Sequence, residues 1–431
     1  MTHILLRHAD VITLGAEGRV LRDAEIAIAD GLIVAVGAAP AGFAADETVD
    51  CRHHVVMPGF FNAHTHSPTT LLRGRGSRLP VARLFNPRWS GASGWEGEVG
   101  LTAEDVYWGA ALAAVEMIRS GTVGFADHFF FMDQVARVVV ESGLRASLAW
   151  CTFGREMGEI GADLSGIAAF VDRWQGAAGG RIKTLLGPHS PYACTPQFLA
   201  RTAAVAARLG VGIHLHLAET QAQVDESLTL YDLTPVELLD RNGVLDGPVL
   251  AAHGIYLSDA DRAILAARDV TVVQCPTTNM RLGLGVTDVT ALLTDGAPVA
   301  LGTDSVMTGG SLDMLTEARH ASLMQTLHWE NPDALPGDLP LRLATQHGAR
   351  ALGFATSGEI SPGHAADLIL LDCNNARLRL RHDLVAGVLH AGERADVSDV
   401  LVAGRWLMRE RRLLTLDEAR ILAEAERRVG G

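Results

Sequence analysis

Eight short apolar runs alternate with amphipathic stretches along the middle of the chain, and this alternation limits the possible fold more than any other feature. The runs are Val55 to Asn62, Thr122 to Asp127, Arg145 to Trp150, Ile182 to Gly187, Val211 to Leu217, Val249 to His253, Val270 to Cys275 and Pro298 to Thr303. Intervening stretches such as Ala103 to Arg119, Pro196 to Leu209 and Asp259 to Arg268 have helical spacing. Eight strands alternating with helices predict an α/β fold, a (β/α)8 TIM barrel. An open doubly wound sheet is the alternative, but no glycine-rich phosphate loop follows an early strand.

Both ends of the chain differ from this middle part. They contain short strands and turns, with Asp30-Gly31 as a hairpin signal near the start and Val400 to Leu407 as a strand near the end. We therefore predict a small β-sandwich domain formed by both termini, residues 1–55 plus 364–431, around a barrel over residues 56–363.

The last segment, Thr415 to Val429, has the pattern of a helix. Thr415 stands where an N-cap is expected, and Glu418 follows three residues later as its partner in a capping box. The sequence therefore predicts a helix that begins at Thr415.

Composition and charge exclude several classes of protein. The 431 residues carry a formal charge of −14, which argues against binding to nucleic acid or to an anionic membrane surface. No run approaches the roughly 18 apolar residues of a membrane span, and the N-terminus lacks the pattern of a signal peptide. The cysteines are odd in number and widely scattered, which is typical of a reducing compartment. We expect a cytoplasmic protein.

Two histidines, His64 and His66, follow the first apolar run in the stretch MPGFFNAHTH. Because side chains alternate faces along a strand, both imidazoles are expected to point the same way. This arrangement is half of a metal site. The pair is a weak signal by itself, since the chain contains 17 histidines.

Further ionisable residues follow the other predicted strands, where the carboxyl ends of barrel strands carry the chemistry. They are Asp127, His128, His189, His216, Glu219, His253 and Asp304. His214 and His216 share a face; we expect His216, nearer the active rim, to bind metal and His214 to be an interior histidine. Asp127 and His128 are expected to form a structural hydrogen-bonded pair beneath the site.

Three histidines and one carboxylate with an open position match a catalytic zinc site, although iron or manganese would also accept these ligands. A dinuclear site usually needs a bridging ligand such as a carboxylated lysine. Lys183 is the single lysine of the chain, and it stands at the start of its strand, away from the active rim. We therefore expect one divalent metal ion.

The segments PGFFNAHTH, HLAE, LAAHG and LGTD, in this order, resemble the amidohydrolase superfamily. Within it, the chain resembles the branch that holds 5′-methylthioadenosine/S-adenosylhomocysteine deaminases and s-triazine hydrolases. HTHSPTTLLRG, GPHSPYAC and NMRLGLGV are similar to deaminase signatures, and the resemblance continues to GHAADLILLD near the end.

The resemblance implies a role for each matching residue. The implied metal ligands are His64, His66, His216 and Asp304. Glu219 corresponds to the acid/base that moves a proton from water to a ring nitrogen, while His253 and Asp304 orient the attacking water. His189 matches a substrate-contacting histidine, and Glu98 matches a glutamate that holds ribose hydroxyls.

The chain departs from the deaminases at several positions. Trp150 stands where the nucleoside enzymes place an arginine, and we treat it as a candidate substrate contact. The segment between Leu72 and Glu98 is more basic and richer in glycine than in relatives. Its arginines, Arg73, Arg75 and Arg78, belong either to a solvated loop or to a site for an anionic substrate group.

The expected function is hydrolytic deamination of an amino-substituted N-heterocycle, with an adenine nucleoside derivative such as methylthioadenosine or S-adenosylhomocysteine as the leading substrate. The alternatives are a hydrolase of another heterocycle (an s-triazine, guanine, a pterin or a cyclic amide) with the same metal centre, and a binding protein without activity. The resemblance also implies a homo-oligomer.

Overall fold

The computed structural model describes residues 2–15, 18–75, 100–155, 158–161, 164–380 and 382–429. Within these residues the strands form two nine-stranded sheets. The strands are β1 (Ile4–Ile12), β2 (Val20–Ala29), β3 (Leu32–Gly37), β4 (Glu47–Asp50), β5 (His54–Pro58), β6 (Phe60–Thr65), β7 (Thr122–Phe129), β8 (Arg145–Arg155), β9 (Gly158–Gly161), β10 (Ile182–Pro188), β11 (Gly212–Leu217), β12 (Val249–His253), β13 (Thr271–Gln274), β14 (Val299–Leu301), β15 (Leu368–Asp372), β16 (Val397–Val402), β17 (Arg405–Arg409) and β18 (Arg412–Leu413).

The helices lie mainly between the barrel strands. They are α1 (Ala103–Arg119), α2 (Met132–Ser142), α3 (Leu164–Trp174), α4 (Pro196–Leu209), α5 (Gln221–Tyr231), α6 (Pro235–Arg241), α7 (Asp259–Ala267), α8 (Pro276–Leu282), α9 (Val289–Asp295), α10 (Met314–Trp329), α11 (Leu339–Arg342), α12 (Gly348–Ala351), α13 (Leu384–Ala391) and α14 (Glu418–Val429). A π-helical turn, Leu343–His347, joins α11 to α12. None of the helices in the described part of the chain combines the length and the apolar character needed to cross a bilayer.

Eight parallel strands form a nearly closed barrel in the order β6-β7-β8-β10-β11-β12-β13-β14. The first and last strands meet through a bridge between Thr65 and Asp304, where the Asp304 N–H donates to the His64 carbonyl at 3.0 Å. β9 pairs antiparallel with β8 beside the barrel. Each of the eight predicted runs contributes a barrel strand, and the predicted (β/α)8 barrel is confirmed.

The second sheet is built from both termini, in the order β18-β17-β16-β15-β5-β1-β2-β3, with β4 added on β1. A small β-sandwich domain formed by both termini was expected, and the two ends of the chain do form a separate sheet. The predicted limits of the two domains, 1–55 plus 364–431 and 56–363, stay a prediction.

The predicted first barrel strand, Val55 to Asn62, is wrong as a single element. The chain changes sheets at Gly59: β5 pairs with β15 in the terminal sheet, and β6 pairs with β7 in the barrel. A Cβ on Gly59 would lie 2.3 Å from Cγ1 of Val123, so only glycine fits this crossing between the sheets. One uninterrupted apolar run therefore serves two sheets.

The prediction that the last helix begins at Thr415 is also wrong, because α14 begins at Glu418. The Thr415 hydroxyl donates to the Ser142 carbonyl at 2.7 Å, and Glu418 forms an ion pair with Arg119 of α1. Asp417 accepts from the Arg420 N–H at 3.1 Å in the place of the predicted cap. Both residues of the predicted capping box therefore bind residues that are distant in sequence, Ser142 and Arg119, instead of each other.

Candidate active site

Four side chains from three places in the barrel meet at its carboxyl end. His64 and His66 lie at the end of β6, His216 lies in β11, and Asp304 follows β14. His66 Nε2 is 3.3 Å from His216 Nε2 and 3.3 Å from Asp304 Oδ1, and His64 Nε2 is 3.5 Å from the same oxygen. All four are buried. The structure therefore brings together the four residues expected to bind metal.

Hydrogen bonds fix which ring nitrogen faces the centre of this cluster. His66 Nδ1 lies 2.6 Å from the His128 carbonyl oxygen, and His216 Nδ1 lies 2.9 Å from the His189 carbonyl oxygen. Because a carbonyl only accepts, each Nδ1 carries a proton, and each neutral ring turns the lone pair of Nε2 toward its neighbour. His64 Nε2 is buried with no hydrogen-bond partner. These lone pairs and the Asp304 carboxylate fit one divalent cation.

The protonation states agree with that fit. Burial lowers the pKa of the His64 and His216 imidazoles below its usual value, so both rings are neutral at neutral pH. Burial opposes ionisation of Asp304, but its interactions with the neighbouring imidazoles of His64 and His66 hold its pKa well below the usual range. Metal ligands must be deprotonated, and these groups already are.

Asp304 is held in place on both sides of its carboxylate. Oδ2 accepts from the Thr308 hydroxyl at 2.9 Å, and Thr308 in turn accepts from the Thr278 hydroxyl at 3.0 Å. The backbone of Asp304 has φ of 59°, a left-handed value that non-glycine residues adopt mostly where the surrounding structure enforces it. A Cβ on Gly302 would lie 2.8 Å from the Cβ of His64, so the last strand can approach β6 this closely only with glycine there.

Glu219 and His253 lie beside the four residues, and each is 1% exposed. His253 Nε2 is 3.5 Å from Glu219 Oε1. Burial, followed by the nearby charge of Asp304, raises the pKa of Glu219 well above its usual value. Burial lowers the pKa of His253 to about 3. The pair can therefore hold one proton on the carboxyl group next to a neutral imidazole.

His189 forms a wall of the site. Its ring stacks on His216, with centroids 4.3 Å apart, and on Phe153, with centroids 4.8 Å apart. Stacked rings of this kind present a flat apolar surface beside the cluster. Glu98, the expected ribose contact, falls outside the described residues, as does Arg78.

The side chain of Trp150 does not lie on this wall, which corrects its expected role as a substrate contact. It packs edge to face on Phe170 of α3, on the outer side of the barrel, with ring centroids 5.3 Å apart. Phe153, three residues further along β8, has the opposite direction by strand alternation and reaches His189 instead. An aromatic residue of β8 does face the site, but it is Phe153.

Two other interpretations change with the structure. Asp127 accepts from the Ser67 N–H at 2.8 Å and from its hydroxyl at 2.5 Å, rather than pairing with the His128 ring. Arg73 is exposed, but its guanidinium is paired within the protein. It pairs with Glu116 of α1 and donates to the Gly310 carbonyl, and so ties the loop after β6 to the loop after Asp304.

Glu317 of α10 is a buried carboxyl group near the site, and it predicts a dependence of stability on pH. It accepts from the Thr277 N–H at 3.0 Å, and burial raises its pKa from 4.5 to about 8. Between these values the unfolded chain releases a proton that the folded protein keeps, so the free energy of unfolding falls as pH rises. The slope is on the order of 1 kcal/mol per pH unit.

Glu317→Gln keeps an acceptor for Thr277 but cannot ionise, so it is expected to remove this slope. Urea unfolding of the wild type and the variant at intervals from pH 5 to pH 8 measures the difference. Glu330→Gln, at the exposed end of the same helix, is the control and should leave the slope as it is. Parallel curves for Glu317→Gln and the wild type would contradict the assignment.

The sequence did not predict the contacts of three residues near the site, namely His214, Phe153 and Thr308. His214 Nε2 lies 2.8 Å from His64 Nδ1. Its spacing of two from His216 placed it on the correct face, but its partner lies on another strand. Phe153 and Thr308 had no local signal at all.

Comparison with known proteins agrees with this site. A model of the amidohydrolase family matches residues 55–407. The 5-methylthioadenosine/S-adenosylhomocysteine deaminase of Pelotomaculum thermopropionicum is 43% identical, over 100% of this chain and 98% of its own. The 5′-deoxyadenosine deaminase of Methanosarcina barkeri is 40% identical, over 99% of this chain and 98% of its own. The crystal structure of an adenosine deaminase from Xanthomonas campestris with bound zinc superposes with a TM-score of 0.92 at 31% identity, covering 99% of this chain and 98% of that one.

The chain therefore belongs to the amidohydrolase family. The expected resemblance is confirmed over the full length, and it covers both the barrel and the terminal sheet.

Proposed function

We propose that this protein is a zinc-dependent hydrolytic deaminase of an adenine nucleoside derivative, such as methylthioadenosine or S-adenosylhomocysteine. The observation that carries the proposal is the buried Glu219, whose Oε1 lies 3.5 Å from His253 Nε2 at the edge of the ligand cluster. Relatives of nearly the same length that are named as deaminases of such nucleosides support it.

The residues that would hold the metal are His64, His66, His216 and Asp304. A divalent cation at this position supplies Lewis acidity, which makes water a nucleophile near neutral pH. Zinc fits the three imidazoles and one carboxylate best, with iron or manganese as alternatives.

Glu219 is the proposed acid/base. Its Oε1 or Oε2 takes a proton from the attacking water and gives it to the ring nitrogen next to the carbon that bears the amino group. A carboxyl group with a raised pKa can do both near neutral pH, because each protonation state is accessible. His253 and Asp304 orient the water, and their left-handed backbones, with φ of 75° and 59°, fix the direction of the two side chains. The second proton of the water passes to the amino group, the bond between this group and the attacked carbon breaks, and ammonia leaves behind a carbonyl.

The wall formed by His189 and Phe153 is the proposed contact for the heterocycle. Stacked aromatic rings suit a planar purine, and both rings are less than one-tenth exposed. Glu98 is proposed to hold ribose hydroxyls, as the family resemblance implies. A homo-oligomeric state and a cytoplasmic location stay predictions.

Release of ammonia by zinc-loaded protein tests the proposal. The panel contains methylthioadenosine, S-adenosylhomocysteine, 5′-deoxyadenosine, adenosine, guanine, cytosine, a pterin and an aminotriazine, and ultraviolet spectra follow the ring. We expect turnover of the adenosine derivatives and ammonia in equal amount to the product. If only a different heterocycle released ammonia or another leaving group, the proposed substrate class would be refuted. If no compound were turned over, the proposal that the protein is an enzyme would be refuted.

A further inference from the structure

His214 is a buried histidine whose hydrogen-bond partner is the ring of a proposed ligand. Its Nε2 lies 2.8 Å from Nδ1 of His64, and its side chain is 0% exposed. His66 and His216 instead have a backbone carbonyl at Nδ1. A carbonyl dictates the tautomer of its partner, whereas an imidazole can either donate or accept.

The geometry of His64 allows one arrangement of protons. Its Nε2 points at Asp304 Oδ1, 3.5 Å away, and must be free of hydrogen to bind a cation. A neutral His64 therefore carries its proton on Nδ1 and donates it to His214 Nε2. His214 must then accept at Nε2, which places its own proton on Nδ1.

In the described part of the chain, no other hydrogen bond affects which ring nitrogen of His214 carries the proton. His214 Nδ1 has no hydrogen-bond partner there, so the bond to His64 alone selects the tautomer of His214. The rings packed against it are those of His64 and His128, with centroids 4.9 and 5.3 Å away.

We propose that His214 is a positioning residue, which holds the His64 ring and selects the His64 tautomer whose Nε2 can bind metal. This inference rests on the proposed function, because it assumes that His64 is a metal ligand. Residues that orient a ligand in this way typically change metal affinity about 10–100-fold when they are replaced.

A pair of variants separates this role from packing. His214→Gln keeps an oxygen that can accept from His64 Nδ1, and His214→Leu fills similar space without any acceptor. Competition with a chelator measures zinc affinity, and circular dichroism checks the fold. We expect His214→Leu to bind zinc about 10–100-fold more weakly than the wild type, and His214→Gln to recover most of that loss.

Two results would overturn the inference while leaving the proposed function intact: wild-type zinc affinity in a folded His214→Leu, or equal losses in both variants. Wild-type protein that binds no zinc would overturn both proposals. If His214→Leu does not fold, nitrogen-15 spectra of histidine-labelled wild type decide the question. We expect a proton on Nδ1 of His214 and of His64, and a proton on Nε2 of either ring would contradict the role.

Discussion

Glu219→Gln is expected to lower kcat by at least about a hundredfold while the zinc content stays equal to that of the wild type. The amide fills the same buried space beside His253 but cannot take a proton from water or return it to the ring. Glu219 is not one of the four residues that would hold the metal, so zinc should remain. Ammonia assays under saturating substrate, together with metal analysis of the same samples, measure both quantities.

The control for this variant is Glu330→Gln, which changes an exposed glutamate at the end of α10 and should leave kcat within about twofold. Near-normal turnover by Glu219→Gln with zinc bound would refute its role as the acid/base. Loss of zinc along with activity would instead mean that Glu219 belongs to the ligand set.

His66→Ala is expected to weaken zinc binding by more than about a hundredfold, beyond the effect of losing a residue that only supports a ligand. His66 Nε2 lies 3.3 Å from both His216 Nε2 and Asp304 Oδ1, so its removal leaves a gap in the middle of the proposed ligand set. Zinc should therefore no longer raise the melting temperature of the variant as it does that of the wild type.

Thermal unfolding with and without added zinc measures this shift, and chelator competition gives the affinity. His328→Ala, at the exposed end of α10, is the control and should keep the response to zinc. A zinc-dependent rise in the melting temperature of His66→Ala as large as that of the wild type would contradict the assignment of His66 as a ligand.

The barrel could be predicted because its strands are buried on both faces and so appear as apolar runs separated by amphipathic helices. The change of sheet at Gly59 could not, since β5 and β6 are both buried and the run between them is unbroken. The start of α14 was missed for a related reason. A capping box is a local pattern, but Ser142 and Arg119 bind its two residues from distant parts of the chain.

The four proposed ligands could be predicted because each is an ionisable residue at the end of an otherwise apolar strand. The supporting contacts could not, because they join residues far apart in sequence: His64 and His214 are 150 positions apart. The direction of the Trp150 ring depends on the alternation of side chains along β8. An error of one residue in the predicted register of this strand turns the ring to the opposite face.

The position of β5 between β1 and β15 affects how the chain can fold as it is synthesised. β1 is available as soon as β5 leaves the ribosome, but β15 is made only after the whole barrel. One edge of β5 therefore exposes unpaired backbone groups throughout that interval, as an open edge that another chain could pair with. Closure of the terminal sheet is necessarily a late step, and a ribosome that stalls within the barrel leaves a nascent chain prone to aggregation.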